Sequence, residues 1–181
     1  MSRREPMAVD ELLNRARGQM ALGIHYRLGG GKLFPEDDTC AGDDGTCDCS
    51  GFVDWCFGLP RQFDHPFYND INGGWINTDA IWRDAKDGHV LFIKCAPAVG
   101  GLLVYPSGKM TGKASPTVGH VGIVTAMQGT RVSRVLHCSE SNMKVDGQAI
   151  HETDPGVFES HETTICCRCY RIKHDHETCS W

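Results

Sequence analysis

The sequence predicts an α+β fold, with N-terminal helices packed on a mostly antiparallel β-sheet. Three observations carry this reading. Apolar residues recur at helical spacing early in the chain, at Val9, Leu12, Leu13, Ala16 and Met20 and again at Phe52, Val53, Cys56 and Phe57. Short runs rich in β-branched and aromatic residues fill the second half. Helices first and strands afterwards is the order of an α+β chain. With 181 residues, 40% of them hydrophobic, one core can form, so a single domain over residues 1–173 and a C-terminal tail over 174–181 are expected.

The first helix starts near Val9, with Asp10 at its acidic end. Tyr26 to Asp48, rich in Gly and Asp, reads as a long loop. A second helix begins at Cys49 or Ser50, and Gly58 and Pro60 stop it. Arg61 to Asn77 is irregular and aromatic; Phe63, Phe67, Tyr68, Trp75 and Trp82 either line a cleft or fill the core. A third short helix spans Thr78 to Ala85, capped by Asn77 or Thr78 and followed by Gly88. Strands are expected at Val90 to Ile93, Leu102 to Tyr105, His120 to Ala126, Val132 to Cys138 and Thr164 to Ile172. Pro106 ends the second strand, and Ser107 to Gly119 reads as a surface loop.

The net charge of −5 argues against a nucleic-acid binder, which needs a basic face to displace counterions. Scattered Lys and Arg make no membrane-surface patch. The most apolar stretch, Val90 to Tyr105, is broken by Lys94, Pro97 and Gly100-Gly101, so membrane insertion is not expected. Met1-Ser2-Arg3-Arg4 is basic, but Asp10, Glu11 and Asn14 follow in place of an apolar run. On that reading the chain has no signal peptide and is made in the cytoplasm. Ten cysteines then suggest reduced thiols, a metal site or catalysis. If one cysteine must stay free, nine remain, and they cannot all pair within one chain.

Asp48-Cys49-Ser50-Gly51-Phe52-Val53 is the most informative stretch. Cys49 sits where a loop enters a helix, and a helix N-terminus carries partial positive charge and unpaired N–H groups. Both favour thiolate, the nucleophilic form. The Cys49 backbone N–H is placed to donate to an oxyanion, and Gly51 keeps the first turn slim enough for a substrate. The competing reading is one ordinary cysteine among ten. His120 opens an apolar strand on which His120, Gly122 and Val124 share one face and Val121 and Ile123 the other. The small Gly122 leaves room for a helix N-terminus. On the next strand, His137 is positioned to hold one ring nitrogen of His120 while the other faces Cys49; Glu140 competes for that role.

This stretch resembles the nucleophile motif of the NlpC/P60 cysteine peptidases. Tyr26-Arg27-Leu28-Gly29-Gly30 resembles that family's Tyr-x-x-Gly-Gly element, and Gly119-His120-Val121-Gly122-Ile123-Val124 resembles its His-bearing strand. Val135-Leu136-His137 sits where the family places its third polar residue. The resemblance covers roughly residues 9 to 140. Val99-Gly100-Gly101-Leu102 stands where the family usually has Pro-Gly-Asp-Leu, and the loop from Gly30 to Cys49 is long and carries Cys40 and Cys47. Both departures bear on the shape of the cleft.

The resemblance implies a papain-like fold and a cysteine hydrolase that cuts an amide bond in peptidoglycan stem peptides, an endopeptidase next to D-glutamate. Cys49, His120 and His137 would be catalytic, with no metal or other cofactor. Tyr26, Asp48 and Ser50 would contact substrate, although Tyr26 also suits packing, and Asp48 and Ser50 suit helix capping. Action at the cell wall would then require non-Sec delivery, by a phage particle or a secretion machine. The rivals are a cysteine amidase or acyltransferase with the same residues, and a non-catalytic Cys/His-rich metal-binding protein. For the latter, Cys40, Cys47, Cys49 and Cys56 are dense but poorly spaced for one ion. Cys166, Cys167 and Cys169 with His174, His176 and Cys179 make a better zinc candidate. Asp43-Asp44-Gly45 lacks the ligand pattern of a calcium loop.

Overall fold

A computed structural model describes residues 6–112 and 118–173. The tail from His174 to Trp181, and with it His174, His176 and Cys179 of the zinc candidate, lies outside the described residues. So does the basic start, Met1 to Arg4.

The chain opens with strand β1 (Met7–Ala8), helix α1 (Val9–Arg17) and strand β2 (His25–Tyr26). Leu12, Leu13 and Ala16 turn inward from α1, while Arg15 and Arg17 occupy its last turn, where cations suit the helix dipole. The expected long loop contains a small anchor. β2 pairs in parallel with β3 (Thr46–Cys47), which brings both ends of the loop together just before helix α2 (Cys49–Cys56). All eight residues of α2 are buried.

The segment expected to be irregular holds helix α3 (Pro66–Asn72). It is capped by the His65 side chain, started by Pro66 and closed by Gly73 in the left-handed region. Helix α4 (Thr78–Arg83) is capped by the Asn77 side chain and runs into a π-helical turn, Asp84–Gly88.

The main sheet has six strands: β4 (Phe92–Lys94), β5 (Leu102–Tyr105), β6 (His120–Gln128), β7 (Arg131–Cys138), β8 (Ile150–Thr153) and β9 (Ile165–Cys169). Their order is β4-β9-β5-β6-β7-β8, and every neighbouring pair is antiparallel. The strand expected from Val90 starts two residues late. The Val90, Leu91 and Phe92 N–H groups donate to the buried Asp84 carboxylate, so Val90 and Leu91 are not in the ladder. The expected strand from Thr164 to Ile172 is split after Cys169. Tyr170 donates its N–H to Leu91, and Ile172–Lys173 forms β10, paired in parallel with β1.

Four further elements were not foreseen. Helix α5 (Gly108–Thr111) interrupts the expected loop after Pro106, helices α6 (Glu140–Asp146) and α7 (Gly156–Glu159) follow β7 and β8, and β8 itself closes one edge of the sheet. The larger core lies between the helices and one face of the sheet, and includes Phe52, Val53, Val121, Ile123 and Leu136. A smaller cluster on the other side joins Leu103, Tyr105, Val124 and Val135 to Phe158 of α7. No described helix is long and apolar enough to cross a membrane.

Candidate active site

Asp48 organises the start of α2. Its carboxylate accepts from the Gly51 N–H at 2.6 Å and from the Ser50 hydroxyl at 3.1 Å. Its second oxygen accepts from the Gly29 N–H at 2.8 Å. The Arg61 guanidinium donates to both oxygens, at 2.8 and 3.1 Å, and to Ser50 Oγ at 3.2 Å. Asp48 and Ser50 are each 3% exposed and Arg61 only 1%. Of the two roles weighed for Asp48, the geometry displays capping, reinforced by a bidentate ion pair.

Arg61 was not singled out from the sequence. Its one local sign is a cation just beyond the Gly58 and Pro60 helix stop, and a buried Arg needs a partner. It also changes the reading of Gly51. A Cβ there would lie 2.6 Å from Arg61 Nη1 and 2.8 Å from the Gly30 carbonyl oxygen. Gly51 is small to admit Arg61, not substrate.

Cys49 is the first residue of α2 and is 3% exposed. Burial pushes its thiol well above the ordinary range, and the Asp48 charge adds to the shift. The Val121 backbone N–H, the Arg61 charge and the Ser50 backbone N–H oppose it. The expected thiolate-favouring effect of the helix terminus is therefore outweighed, and the resting group is a thiol. Tyr26 is half-buried, and the same causes, burial first and then the Cys49 and Asp48 charges, raise its hydroxyl. It stays a neutral O–H within the influence of Cys49.

The two histidines meet as expected. His120 Nε2 lies 2.8 Å from His137 Nδ1, with the rings nearly perpendicular. Glu140 instead pairs with Lys144 on α6. The space beside Gly122 is filled differently from the expectation. A Cβ there would meet Val135, His137 and Phe158, so Gly122 makes room for the histidine pair and α7 rather than for α2. Phe158 stacks on His120 at 5.2 Å, and Tyr105 stacks on His161 at 3.9 Å. Burial, aided by the nearby His137 and His161, pushes His120 down to about 3. Burial and His151 push His137 down to about 4, against the pull of Asp154. Both rings rest neutral.

Two clefts are lined by consecutive residues at the start of β6, Gly119 in one and His120 in the other. One, of about 440 Å³, is lined by Asp48, Cys49, Ser50, Trp75, Lys109 and Gly119, among others. The other, of about 330 Å³, is lined by Tyr105, His120, His137, Asn142 and Thr153, among others. Cys49 opens into the first and His120 into the second. No hydrogen bond joins Cys49 to His120 among the described residues; resting sites often tighten only around substrate. Of the aromatic residues, Trp75 lines the first cleft, while Tyr68 is core and donates its hydroxyl to Asp84.

For the metal reading, no group of three or more His, Cys, Asp or Glu side chains among the described residues is arranged to hold an ion. Cys40, Cys47, Cys49 and Cys56 are buried free thiols. Asp43 pairs with Lys32, and Asp44 with Arg27.

The family model that matches the chain is the CHAP domain, over residues 41–142. That span contains Asp48, Cys49, His120 and His137. CHAP is a papain-like domain, in line with the resemblance seen in the sequence. No curated protein matches. Among solved structures, the chain is similar to the peptidoglycan hydrolase RipB from Mycobacterium tuberculosis, at 19% identity and TM-score 0.48, over 92% of this chain and 65% of that one. It is also similar to Ly7917, at 13% identity and TM-score 0.48, over 88% of this chain and 62% of that one. Ly7917 with the hydrolyzing product of MDP matches with TM-score 0.46. The chain thus spans less than two thirds of the length of these structures.

Proposed function

This chain belongs to the CHAP domain family, and on that premise we propose that it is a thiol hydrolase cleaving an amide bond in peptidoglycan stem peptides. Cys49 is the nucleophile, His120 the base and His137 the group that orients it. The observation that carries this reading is the 2.8 Å bond from His120 Nε2 to His137 Nδ1, with His120 next in sequence to Gly119 of the cleft that Cys49 lines. That bond occupies one nitrogen of His120 and leaves Nδ1 for the thiol.

A peptide bound in the first cleft presents its scissile carbonyl to Cys49. His120 Nδ1 takes the Cys49 proton as sulfur attacks the carbonyl carbon. The oxyanion is met by the Cys49 backbone N–H, with the Tyr26 hydroxyl beside it. His120 then returns the proton to the leaving amine, and water, deprotonated by His120, clears the thioester. The resting pair is neutral, so the proton moves during attack and not beforehand.

The finer reading is an endopeptidase acting next to D-glutamate. Lys109 places a cation at the first cleft, which suits a substrate carrying a free carboxylate. Asp48 and Ser50 lie close enough to Cys49 to sense a substrate amine, although Arg61 already holds both. An amidase or acyltransferase would use the same three residues. Mass spectrometry of muropeptides digested by the protein separates these outcomes. The proposal expects a new free amine on the residue that follows D-glutamate. Release of an intact stem peptide from the sugar would replace the endopeptidase reading with the amidase one.

A further inference from the structure

We propose that Thr153 is a positioning residue that sets the tautomers of both histidines and so keeps His120 Nδ1 free to act as base. The inference rests on the assignment of His120 as the base. Thr153 lies on β8, which pairs with β7 in the register Val135↔Thr153 and His137↔His151. Thr153 is therefore diagonal to His137 on one face of the sheet, within side-chain reach. Its Oγ1 is 3.0 Å from His137 Nε2 and 2.8 Å from the Asp154 carbonyl oxygen.

A hydroxyl has one proton to give. A carbonyl can only accept, so the Thr153 proton goes to Asp154. Thr153 Oγ1 must then accept from His137, which places the His137 proton on Nε2. His137 Nδ1 is left with a lone pair and must accept from His120 Nε2–H across the 2.8 Å contact. The proton on neutral His120 is thereby on Nε2, and Nδ1 carries the lone pair that catalysis needs. The opposite arrangement protonates His137 at Nδ1 and His120 at Nδ1. It has the same donor–acceptor distances but leaves no lone pair on His120 Nδ1. Thr153 and the Asp154 carbonyl select between the two.

Thr153→Val keeps the side-chain shape and removes the hydroxyl, so both tautomer sets become accessible. It should lower kcat roughly 10-fold, the scale on which an outer hydrogen-bond partner acts, with KM little changed. Thr153→Ser should restore activity to within about twofold, since it keeps the hydroxyl. The decisive readout does not depend on turnover. In protein labelled with 15N-histidine, two-bond proton–nitrogen correlations, assigned with His120→Gln and His137→Gln variants, should show both rings as Nε2–H at neutral pH. An Nδ1–H signal for either ring in the unmodified protein overturns the relay, as does a Thr153→Ser variant as slow as Thr153→Val. Full hydrolysis by Cys49→Ala would overturn the assigned function instead, and would leave the tautomer result standing. Should Thr153→Val fail to fold, the spectra of the unmodified protein and of Thr153→Ser still decide.

Discussion

Replacing Arg61 by Met should destabilise the fold by about 3–5 kcal/mol and slow hydrolysis. Arg61 is 1% exposed and makes two charged hydrogen bonds to Asp48, at 2.8 and 3.1 Å. Bonds of that kind are each worth about 1.5–3 kcal/mol, and removing one partner of a buried pair costs about 3–5 kcal/mol. The two figures agree. Asp54 lies 3.8 Å from Arg61 Nη1, and burial raises its carboxyl well above the usual range, so Asp54 can shed its charge when Arg61 is lost. Asp48, which still caps α2, bears the penalty. In a chain of this size each kcal/mol shifts Tm by about 2–4 °C, so the midpoint should fall by about 6–20 °C. Urea unfolding at pH 7 gives the free energy directly. The double variant Arg61→Met/Asp48→Asn should recover part of the loss, because no unpaired charge then stays buried. A loss below about 1 kcal/mol for Arg61→Met, or no recovery in the double variant, would mean that no buried charge penalty falls on Asp48.

Two further outcomes follow from the site's electrostatics. Cys49 rests as a buried thiol, so iodoacetamide should modify it slowly at pH 7, with a rate rising about tenfold per pH unit toward pH 9. Peptide mapping reads this out, and a fast plateau from about pH 5 upward would reveal a pre-formed ion pair instead. His120 and His137 are depressed from 6.5 to about 3 and about 4 in the folded protein. The unfolded chain protonates them near pH 6.5, so their contribution to stability is fully present above that pH and is lost as pH falls toward 4 and below. With two protons taken up on unfolding, the slope approaches about 2.7 kcal/mol per pH unit near pH 5. Urea titrations at pH 7, 6 and 5 should show it, and a His120→Gln/His137→Gln variant with the same slope would contradict it.

Much of the site was legible because its parts are local. Asp48-Cys49-Ser50-Gly51 is a helix-start signal within four residues, and the alternation from His120 to Val124 sorts the strand's two faces correctly: Val121 and Ile123 enter the main core, and Val124 the smaller cluster. What escaped depends on contacts between distant residues. Arg61 finds Asp48 across thirteen positions, and Thr153 reaches His137 from the far strand of a pair interrupted by α6. The late start of β4 comes from the Asp84 carboxylate, which takes three N–H groups from the segment that follows. Helix α3 was a different kind of miss. Pro66 at its start and Gly73 after its end were in plain view, but the aromatic residues between them masked a seven-residue helix. The Cys49 thiol shows the limit of a motif. A helix terminus favours thiolate, but burial outweighs it at Cys49.

The proposed chemistry begins with Cys49 attacking the amide. Its most direct test compares muropeptide hydrolysis by the unmodified protein and by Cys49→Ala, with circular dichroism to verify the fold. An unchanged spectrum and no detectable product are expected from Cys49→Ala. Hydrolysis at the unmodified rate by a folded Cys49→Ala protein would contradict that chemistry.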